Sequence, residues 1–415
     1  MITAAVPNDD LMSAELLADP YPAMAALRES DRIHWSDAQR AWLVTRYDDV
    51  VEGFGNPLLS SDRVRPLLAT MTDKQRQSAG RVMELLAGWM VVTDPPEHTR
   101  LRRLAANAFN PRRVAAMEGR IRGLVDDMLT RFIADGCTDL IADFSFPLPA
   151  TVIAELLGAP PGDRDRFRHW SEDLAQVAFG AGGAGRPDRH ERGMRGLQEL
   201  LDYFEGLIED ARADPGGENM IAGLLEGDGK GNVLDLEETK AMLALMLFAG
   251  HETTTNLIAT STVRLLERPD QLALLREQPD LINQTVEETL RYEGAIRVLI
   301  RWVIEDFTWH GKEVRAGQRV FLLLGGANRD PAKFNDPDRL DITRKPNPHV
   351  AFGKGVHACI GAQLARVETR IALAAVFERL PGLRVAHQEL KWTPSLASRA
   401  LRSVHVEHDA TQTRG

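Results

Sequence analysis

The sequence predicts a single, mainly α-helical domain with a small β-rich region. Apolar residues recur at three- and four-residue spacing through much of the chain, as they do on helices that pack against a core. Only a few short segments have the composition of strands. No stretch rich in proline, serine or charge divides the 415 residues into separate units, so residues 1–415 are expected to form one domain.

The elements can be placed in order along the chain. A strand is predicted at Trp42–Thr45, followed by a helix, and the segment Val114–Leu157 has helical spacing. The glycine-rich stretch Gly180–Gly185 predicts a loop between two helices. Further strands are predicted at Phe307–Lys312, with a turn at residues 310–311, and at Arg319–Leu324.

One helical pattern is unusually long. Asp235 and Glu238 have the spacing of a capping box, and the pattern that follows continues to Leu266. A helix of this length, roughly 45 Å at 1.5 Å per residue, is long enough to cross the whole domain. Because its middle is apolar, it should be buried.

Composition narrows the class of protein. The net charge of −10 argues against nucleic acid as a partner. Two cysteines exclude a disulfide framework and fit a reducing, cytoplasmic location, and Cys137 is expected to be structural or incidental. The N-terminus has no signal-peptide pattern, and the apolar run Ala241–Gly250 is far short of the roughly 20 residues that span a bilayer. No membrane anchor is expected.

The other cysteine, Cys359, lies behind a glycine-rich loop and just before a predicted helix, in the run Phe352-Gly353-Lys354-Gly355-Val356-His357-Ala358-Cys359-Ile360-Gly361. Backbone N–H groups at the positive end of a helix favour a thiolate. A lone thiolate suits an axial ligand of haem iron better than a zinc or iron–sulfur site. The alternative is a small buried hydrophobic cysteine.

A second motif lies in the middle of the long helix, in the run Ala249-Gly250-His251-Glu252-Thr253-Thr254-Thr255. A glycine and three threonines are poor choices for an ordinary buried helix. Threonine hydroxyls can bond the carbonyl one turn back, which permits a local bend or widening. The zinc-protease motif His-Glu-x-x-His is excluded, because Thr255 stands where the second histidine is required.

With these two motifs, the chain resembles the haem-thiolate monooxygenases of the cytochrome P450 family, of the soluble bacterial type. The resemblance implies haem b between the long helix and the cysteine loop, with Cys359 as the axial ligand of the iron. It implies that Thr253 hydrogen-bonds the oxygen ligand and that Glu252 relays protons from solvent. A structural ion pair is the alternative role for Glu252.

The resemblance also assigns residues around the cofactor. The cofactor-binding set is His98, Arg102, Ala249, Arg301, Phe352, His357, Cys359 and Gly361. His98, Arg102, Arg301 and His357 match the positions that bind the haem propionates, whose burial requires paired cations. A surface role is the alternative for His98 and Arg102 taken alone. Glu288 and Arg291 match a structural Glu-x-x-Arg pair, which is expected to lock with Arg339.

The substrate pocket is assigned by family position only. Its expected lining is Met90, Val91, Leu245, Ala249, Arg297, Val298, Leu299 and Leu396, with Gly180–Gly185 at the lid. Arg297 is unexpected there, and the hypothesis is that it pairs with a carboxylate or phenolate of the substrate. The alternative for Arg297 is an outward salt bridge.

The resemblance predicts an enzyme that inserts one oxygen atom from O₂ into a small to medium, mostly apolar organic substrate. Electrons would come from a separate ferredoxin and reductase, and the protein is expected to be a monomer. An acidic donor would dock on Arg102, Arg103, Arg112, Arg113, Lys354 and Arg366. A non-catalytic haem-thiolate sensor is the rival class, and a peroxide-driven reaction on the same fold is a milder alternative.

Overall fold

A computed structural model describes residues 8–109, 111–136, 138–163, 166–167, 169–170, 189–214 and 219–408. The predictions for Cys137 and for the lid at Gly180–Gly185 lie outside these residues. The described helices are α1 Ala14–Ala18, α2 Tyr21–Ser30, α3 Tyr47–Gly55, α4 Arg65–Thr70, α5 Asp73–Ala87, α6 Glu97–Ala108, α7 Pro111–Ala134, α8 Pro147–Leu156, α9 Arg189–Ala213, α10 Met220–Leu225, α11 Leu236–Leu266, α12 Pro269–Glu277, α13 Ile282–Glu293, α14 Leu324–Ala327 and α15 Ala362–Arg379.

The strands are few and short. They are β1 Ile33–Ser36, β2 Ala41–Val44, β3 Leu59–Ser60, β4 Val298–Val303, β5 Phe307–Trp309, β6 Lys312–Val314, β7 Arg319–Leu323, β8 Arg384–Val385 and β9 Val406–Glu407. Short 3-10 turns lie at Met90–Val92, Pro161–Asp163, Pro279–Leu281 and Gly355–His357, and a π turn lies at Ile141–Ser145. The prediction of a mainly helical fold with a small β-rich region is therefore confirmed.

Five strands form one sheet in the order β1-β2-β7-β4-β3. Strands β2 and β7 pair in parallel, and the other neighbours pair antiparallel. Strands β5 and β6 form a hairpin whose turn contains His310 at φ 48° and Gly311 at φ 77°, where the sequence predicts a turn. Strand β4 was not predicted, because its segment was interpreted only as pocket wall.

The long helix is α11. It runs without interruption from Leu236 to Leu266, the predicted end, and it has 31 residues. The capping box is present: the Glu238 N–H donates to Asp235 Oδ1 at 2.7 Å, and the Asp235 N–H donates to Glu238 Oε2 at 3.0 Å. The helix is apolar on most sides because it packs against α8, α13 and α15 in the largest hydrophobic core.

In the described part of the chain, no helix combines the length and the apolar character needed to cross a bilayer.

Candidate active site

The cysteine loop is held by its own backbone. The Cys359 N–H donates to the Phe352 carbonyl at 2.9 Å, which closes the loop immediately before α15. Gly353 and Gly355 have φ values of 67° and 70°, in the left-handed region where a side chain is strained. The glycines of the motif are therefore required by the turn that presents Cys359.

The electrostatics of Cys359 differ from the expectation. Its side chain is open to solvent, yet enough protein surrounds the thiol for burial to raise its pKa. The Gly361 N–H, Arg102 and Arg366 act in the opposite direction but do not outweigh burial. The backbone N–H thus favours the thiolate, as predicted, but burial has the larger effect on the pKa of the thiol. Coordination to a metal ion deprotonates a thiol outright, so a bound iron supplies what the helix end does not.

Three elements bring together the side chains predicted to bind the propionates. His98 and Arg102 lie on α6, Arg301 lies on β4, and His357 lies in the cysteine loop. The rings of His98 and His357 lie 4.0 Å apart, and both ring nitrogens of His98 are buried without a hydrogen-bond partner. Arg102 donates to the Ala358 carbonyl at 2.5 Å, which ties α6 to the cysteine loop.

Arg301 is 4% exposed, and its guanidinium has one hydrogen bond, to the Ile300 carbonyl at 3.1 Å. Asp94 is close enough to raise the pKa of Arg301, but the Asp94 carboxylate already accepts hydrogen bonds from Ser60 and Ser61. Within the described residues, none of the four predicted propionate ligands forms an ion pair with a carboxylate. The fold thus buries cations without supplying their anions.

Burying these side chains without carboxylate partners is unfavourable, and the pKa values of Arg301 and His357 show it. Burial and the neighbouring Arg63 lower the pKa of Arg301 to about 10. Burial, His98 and Arg301 lower the pKa of His357 to about 3, so this imidazole is neutral near pH 7. A ligand with two buried carboxylates would remove much of the cost, because a buried charge must be paired. The two propionates of haem therefore fit this cluster.

At the centre of α11, the helix is less buried than in the turns before and after it. Residues 241–248 are buried, whereas Ala249 is exposed and Glu252 and Thr253 are partly exposed. The hydroxyl of Thr253 donates to the Ala249 carbonyl at 2.9 Å, and Thr254 donates to the Gly250 carbonyl at 3.2 Å. The predicted bonds one turn back are present, although α11 stays α-helical throughout the motif.

Glu252 has no structural ion pair. Among the residues that the structure describes, no hydrogen-bond or salt-bridge partner of its carboxylate is found. Burial raises the pKa of Glu252, which increases the protonated fraction of a group that can then donate a proton. This arrangement suits a proton relay better than a structural role.

Glu288 and Arg291 form a fully buried pair. Two guanidinium nitrogens of Arg291 donate to Glu288, each at 2.8 Å. Arg339 contacts this pair through its backbone: its carbonyl accepts from Arg291 at 3.0 Å. Two further side chains reach Glu288: Arg344, at 3.2 Å from both carboxylate oxygens, and Asn347, whose amide donates to Glu288 Oε2 at 3.1 Å. The sequence contains several arginines in this region and no signal that distinguishes Arg344.

Arg297 does not line a pocket. Its guanidinium donates to four backbone carbonyls, those of Leu11, Leu16, Ser395 and Leu396, at distances of 2.6–3.3 Å. Both expectations for Arg297, a substrate contact and an outward salt bridge, are therefore wrong. It joins the N-terminal segment to residues 395–396, a long-range contact that no local pattern reveals.

The remaining pocket candidates differ in position. Val298 is 1% exposed and belongs to a hydrophobic cluster with Leu11 and Leu16, and its assignment to the pocket stays a prediction. Leu245 on α11 and Met90 are buried, while Val91 is exposed. Leu299 and Leu396 are partly buried.

The predicted basic surface is partly neutralised. Arg103 pairs with Asp228 at 2.7 Å, and Arg366 pairs with Glu287 at 2.6 Å. Arg112 and Lys354 are exposed. The surface available to an acidic partner is therefore smaller than the six basic residues suggest.

Similarity to known proteins indicates a single family. The cytochrome P450 family model matches residues 185–381. The chain is 38% identical to cytochrome P450 107B1 of Saccharopolyspora erythraea, with 99% of this chain and 100% of that protein covered. It is also 38% identical to the vitamin D(3) 25-hydroxylase of Pseudonocardia autotrophica, with 98% of both covered. The crystal structure of CYP109E1 from Bacillus megaterium in complex with testosterone superposes with a TM-score of 0.82, at 31% identity, covering 94% of this chain and 99% of that one.

Proposed function

The chain belongs to the cytochrome P450 family, and we propose that it inserts one oxygen atom from O₂ into a mostly apolar organic molecule of small to medium size. Its cofactor is haem b. The haem supplies oxygen binding and O–O bond cleavage, and the protein supplies the ligand, the proton path and the pocket.

The protein side of the cofactor site divides into two tasks. Cys359 would hold the haem iron through its thiolate, and the Gly361 N–H, which hydrogen-bonds its sulfur, would stabilise that charge. Arg102 and Arg301 would bind the propionates, with His98 and His357 as hydrogen-bond donors. His98 suits this role because both of its ring nitrogens lack a partner in the described structure.

The observation that carries the oxygenase proposal is the unpartnered carboxyl of Glu252 beside Thr253. Because the Thr253 hydroxyl gives its proton to the Ala249 carbonyl, its oxygen remains free to accept a hydrogen bond and to hold a water in place. Glu252, whose pKa is raised by burial, delivers protons to that water and is recharged from solvent. A sensor that does not turn over has no use for such a pair.

The substrate class follows from the apolar lining and from relatives. Leu245, Ala249, Leu299 and Leu396 offer no charge to a ligand, and Arg297, which could have, is committed to carbonyls. One relative is named a vitamin D(3) hydroxylase, and one solved neighbour holds testosterone. We therefore propose substrates that are largely apolar, up to the size of a sterol. The monomeric state and the cytoplasmic location stay predictions.

Electrons are proposed to come from a separate acidic ferredoxin with its reductase, docked near Arg112 and Lys354. Arg112→Glu should raise the apparent dissociation constant of the donor about tenfold and leave substrate binding unchanged, because opposite charges steer docking. The control is the exposed Arg384 on β8, where Arg384→Glu should change neither quantity. Equal effects of the two variants would contradict this docking site.

The ligand is tested by the absorption spectrum of the dithionite-reduced protein with carbon monoxide. The wild type should show the strongly red-shifted Soret band of thiolate-ligated haem, and Cys359→Ser should lose it. A band of histidine-ligated haem in the wild type would overturn the assignment.

The proton path is tested by coupling of electrons to product. Thr253→Ala should release several-fold more hydrogen peroxide per O₂ consumed, because the water that carries the proton is no longer held. Thr262→Ala is the matched control: Thr262 makes the same bond one turn back, to the Ile258 carbonyl at 2.9 Å, but lies in the core. Equal coupling in both variants would mean that Thr253 has no special role.

A further inference from the structure

A third guanidinium, that of Arg63, belongs to the cation cluster, although no sequence motif marks it. Its charge lowers the pKa of Arg301, so the two guanidiniums interact electrostatically. Burial lowers the pKa of Arg63 itself. Across residues 8–109 and the other described ranges, its side chain has no hydrogen-bond or ion-pair partner.

The sheet delivers Arg63 to this place. In the antiparallel pair of β3 and β4, Ser60 lies opposite Trp302, so the chain leaves β3 next to Arg301. The Ser60 hydroxyl and the Ser61 N–H then donate to Asp94, which fastens the segment just before Arg63. The backbone of Arg63 is therefore anchored close to β4.

The two nearby carboxylates are already engaged. Asp62 accepts from the backbone of Val64 and of Arg65 and pairs with the Arg65 guanidinium at 3.1 Å. Asp94 accepts hydrogen bonds from Ser60 and Ser61. Neither carboxylate is therefore available to Arg63, although a desolvated guanidinium needs an anion.

The charges indicate what that anion is. Arg63, Arg102 and Arg301 carry three positive charges, and Asp94 contributes one negative charge. Counting guanidiniums and carboxylates alone, the cluster has an excess of two positive charges. Haem b brings two propionates. Without Arg63, these two carboxylates and Asp94 would outnumber the guanidiniums.

We propose that Arg63 is a third guanidinium that binds the haem propionates and acts as a positioning residue for the cofactor. It slows the loss of haem, because leaving would unpair a partly buried guanidinium. It also raises the reduction potential of the iron, because a positive charge near the haem favours the added electron. The inference rests on the haem site, and the carbon monoxide spectrum of the wild type tests that site independently.

The test compares holoenzymes that differ at two neighbouring arginines. Arg63→Gln should transfer haem to excess apomyoglobin at least about tenfold faster than the wild type. Its one-electron reduction potential should fall, by at most about 59 mV, which corresponds to a tenfold change in the equilibrium constant. Arg65→Gln removes an arginine two residues away that pairs with Asp62 and Glu97 on the surface, and it should match the wild type.

Arg63→Lys keeps the charge but loses the planar fork, so its potential should stay near that of the wild type while haem loss is a few-fold faster. If Arg63→Gln and Arg65→Gln agree in both measurements, Arg63 does not contact the propionates and the proposal is overturned. If Arg63→Gln fails to accumulate, Arg63→Lys is compared with Arg65→Lys, and equal rates of haem loss overturn it. A potential that shifts only when substrate is bound would assign Arg63 to the substrate and also overturn the proposal.

Discussion

The arginines around Glu288 and those around His357 are buried or partly buried, but among the described residues only the first group is paired with a carboxylate. Arg291 and Arg344 both contact Glu288, and the further donors of Arg291 go to three carbonyls. Arg301 has a single hydrogen bond, to a neighbouring carbonyl, and Arg63 has none among the described residues.

This difference indicates a structural role for the Glu288 cluster and a ligand-binding role for the His357 cluster. A buried cation that the protein pairs contributes to the folded state, whereas one that it leaves unpaired costs free energy until a ligand supplies the anion. Around Glu288 the fold is complete without a cofactor. Around His357 the guanidiniums lack a carboxylate partner among the described residues, and we propose that the two carboxylates of haem supply it.

Breaking the paired cluster should have the largest effect. Glu288→Gln leaves two buried guanidiniums without a carboxylate, and we expect a loss of about 3–5 kcal/mol in the free energy of unfolding. Thermal unfolding and the yield of protein with a thiolate spectrum measure it.

The control is the adjacent residue. Glu287→Gln removes a carboxylate of the same helix that is 32% exposed and pairs with His349 and Arg366, so it should cost about 1 kcal/mol or less. If the two variants were equally destabilised, burial of the Glu288 group would not be what distinguishes it.

The second prediction concerns the unpaired cluster. Removing one of its arginines should stabilise the protein without haem but weaken the binding of haem. Arg301→Met should stabilise the protein without haem by about 1–4 kcal/mol, since it removes a buried charge that has no anion. The same change should speed haem loss from the holoenzyme. Melting of the apoprotein and transfer of haem to apomyoglobin are the two measurements.

Arg297→Met provides the contrast on the same strand segment. Because Arg297 donates to four carbonyls of the protein, its loss should lower the melting temperature with and without haem. A parallel response of the two variants would mean that Arg301 is held by the protein after all.

The smallest effect is a pH dependence in a third, fully paired group. Burial raises the pKa of Glu293, but Arg264 and Arg399 outweigh it and hold the pKa at about 2, below the ordinary 4.5. A lowered pKa stabilises the fold above pH 4.5, and this contribution is lost as the pH falls towards 2. We expect Glu293 to account for about 1 kcal/mol of the stability lost between pH 6 and pH 4. Glu293→Gln should reduce that loss by this amount, and an unchanged pH profile would contradict the pairing.

Local sequence patterns predicted correctly those features that depend on contacts between residues close together in the chain. The capping box at Asp235 and the end of α11 at Leu266 follow from contacts within a few residues, and the structure confirms both. The turn at residues 310–311 was likewise correct. Strand β4 was missed because its pairing with β3 and β7 comes from segments far away in the chain.

The errors in the site have the same origin. Arg297 was assigned by family position, but the partner of a long side chain depends on which distant backbone lies within reach. Arg344 and Arg63 were missed for this reason as well. Their roles depend on Glu288 in one case and on Arg301 in the other, more than 50 and 200 residues away along the sequence.

By itself, the sequence determined the helical fold, the central helix, the cysteine proposed to bind the haem iron and the Glu252–Thr253 pair, because residue type and spacing carry these features. The tertiary structure decided which arginines are paired and which remain for a ligand. Whether a buried charge has a partner depends on distances of a few ångströms between distant segments, and no local spacing encodes such distances.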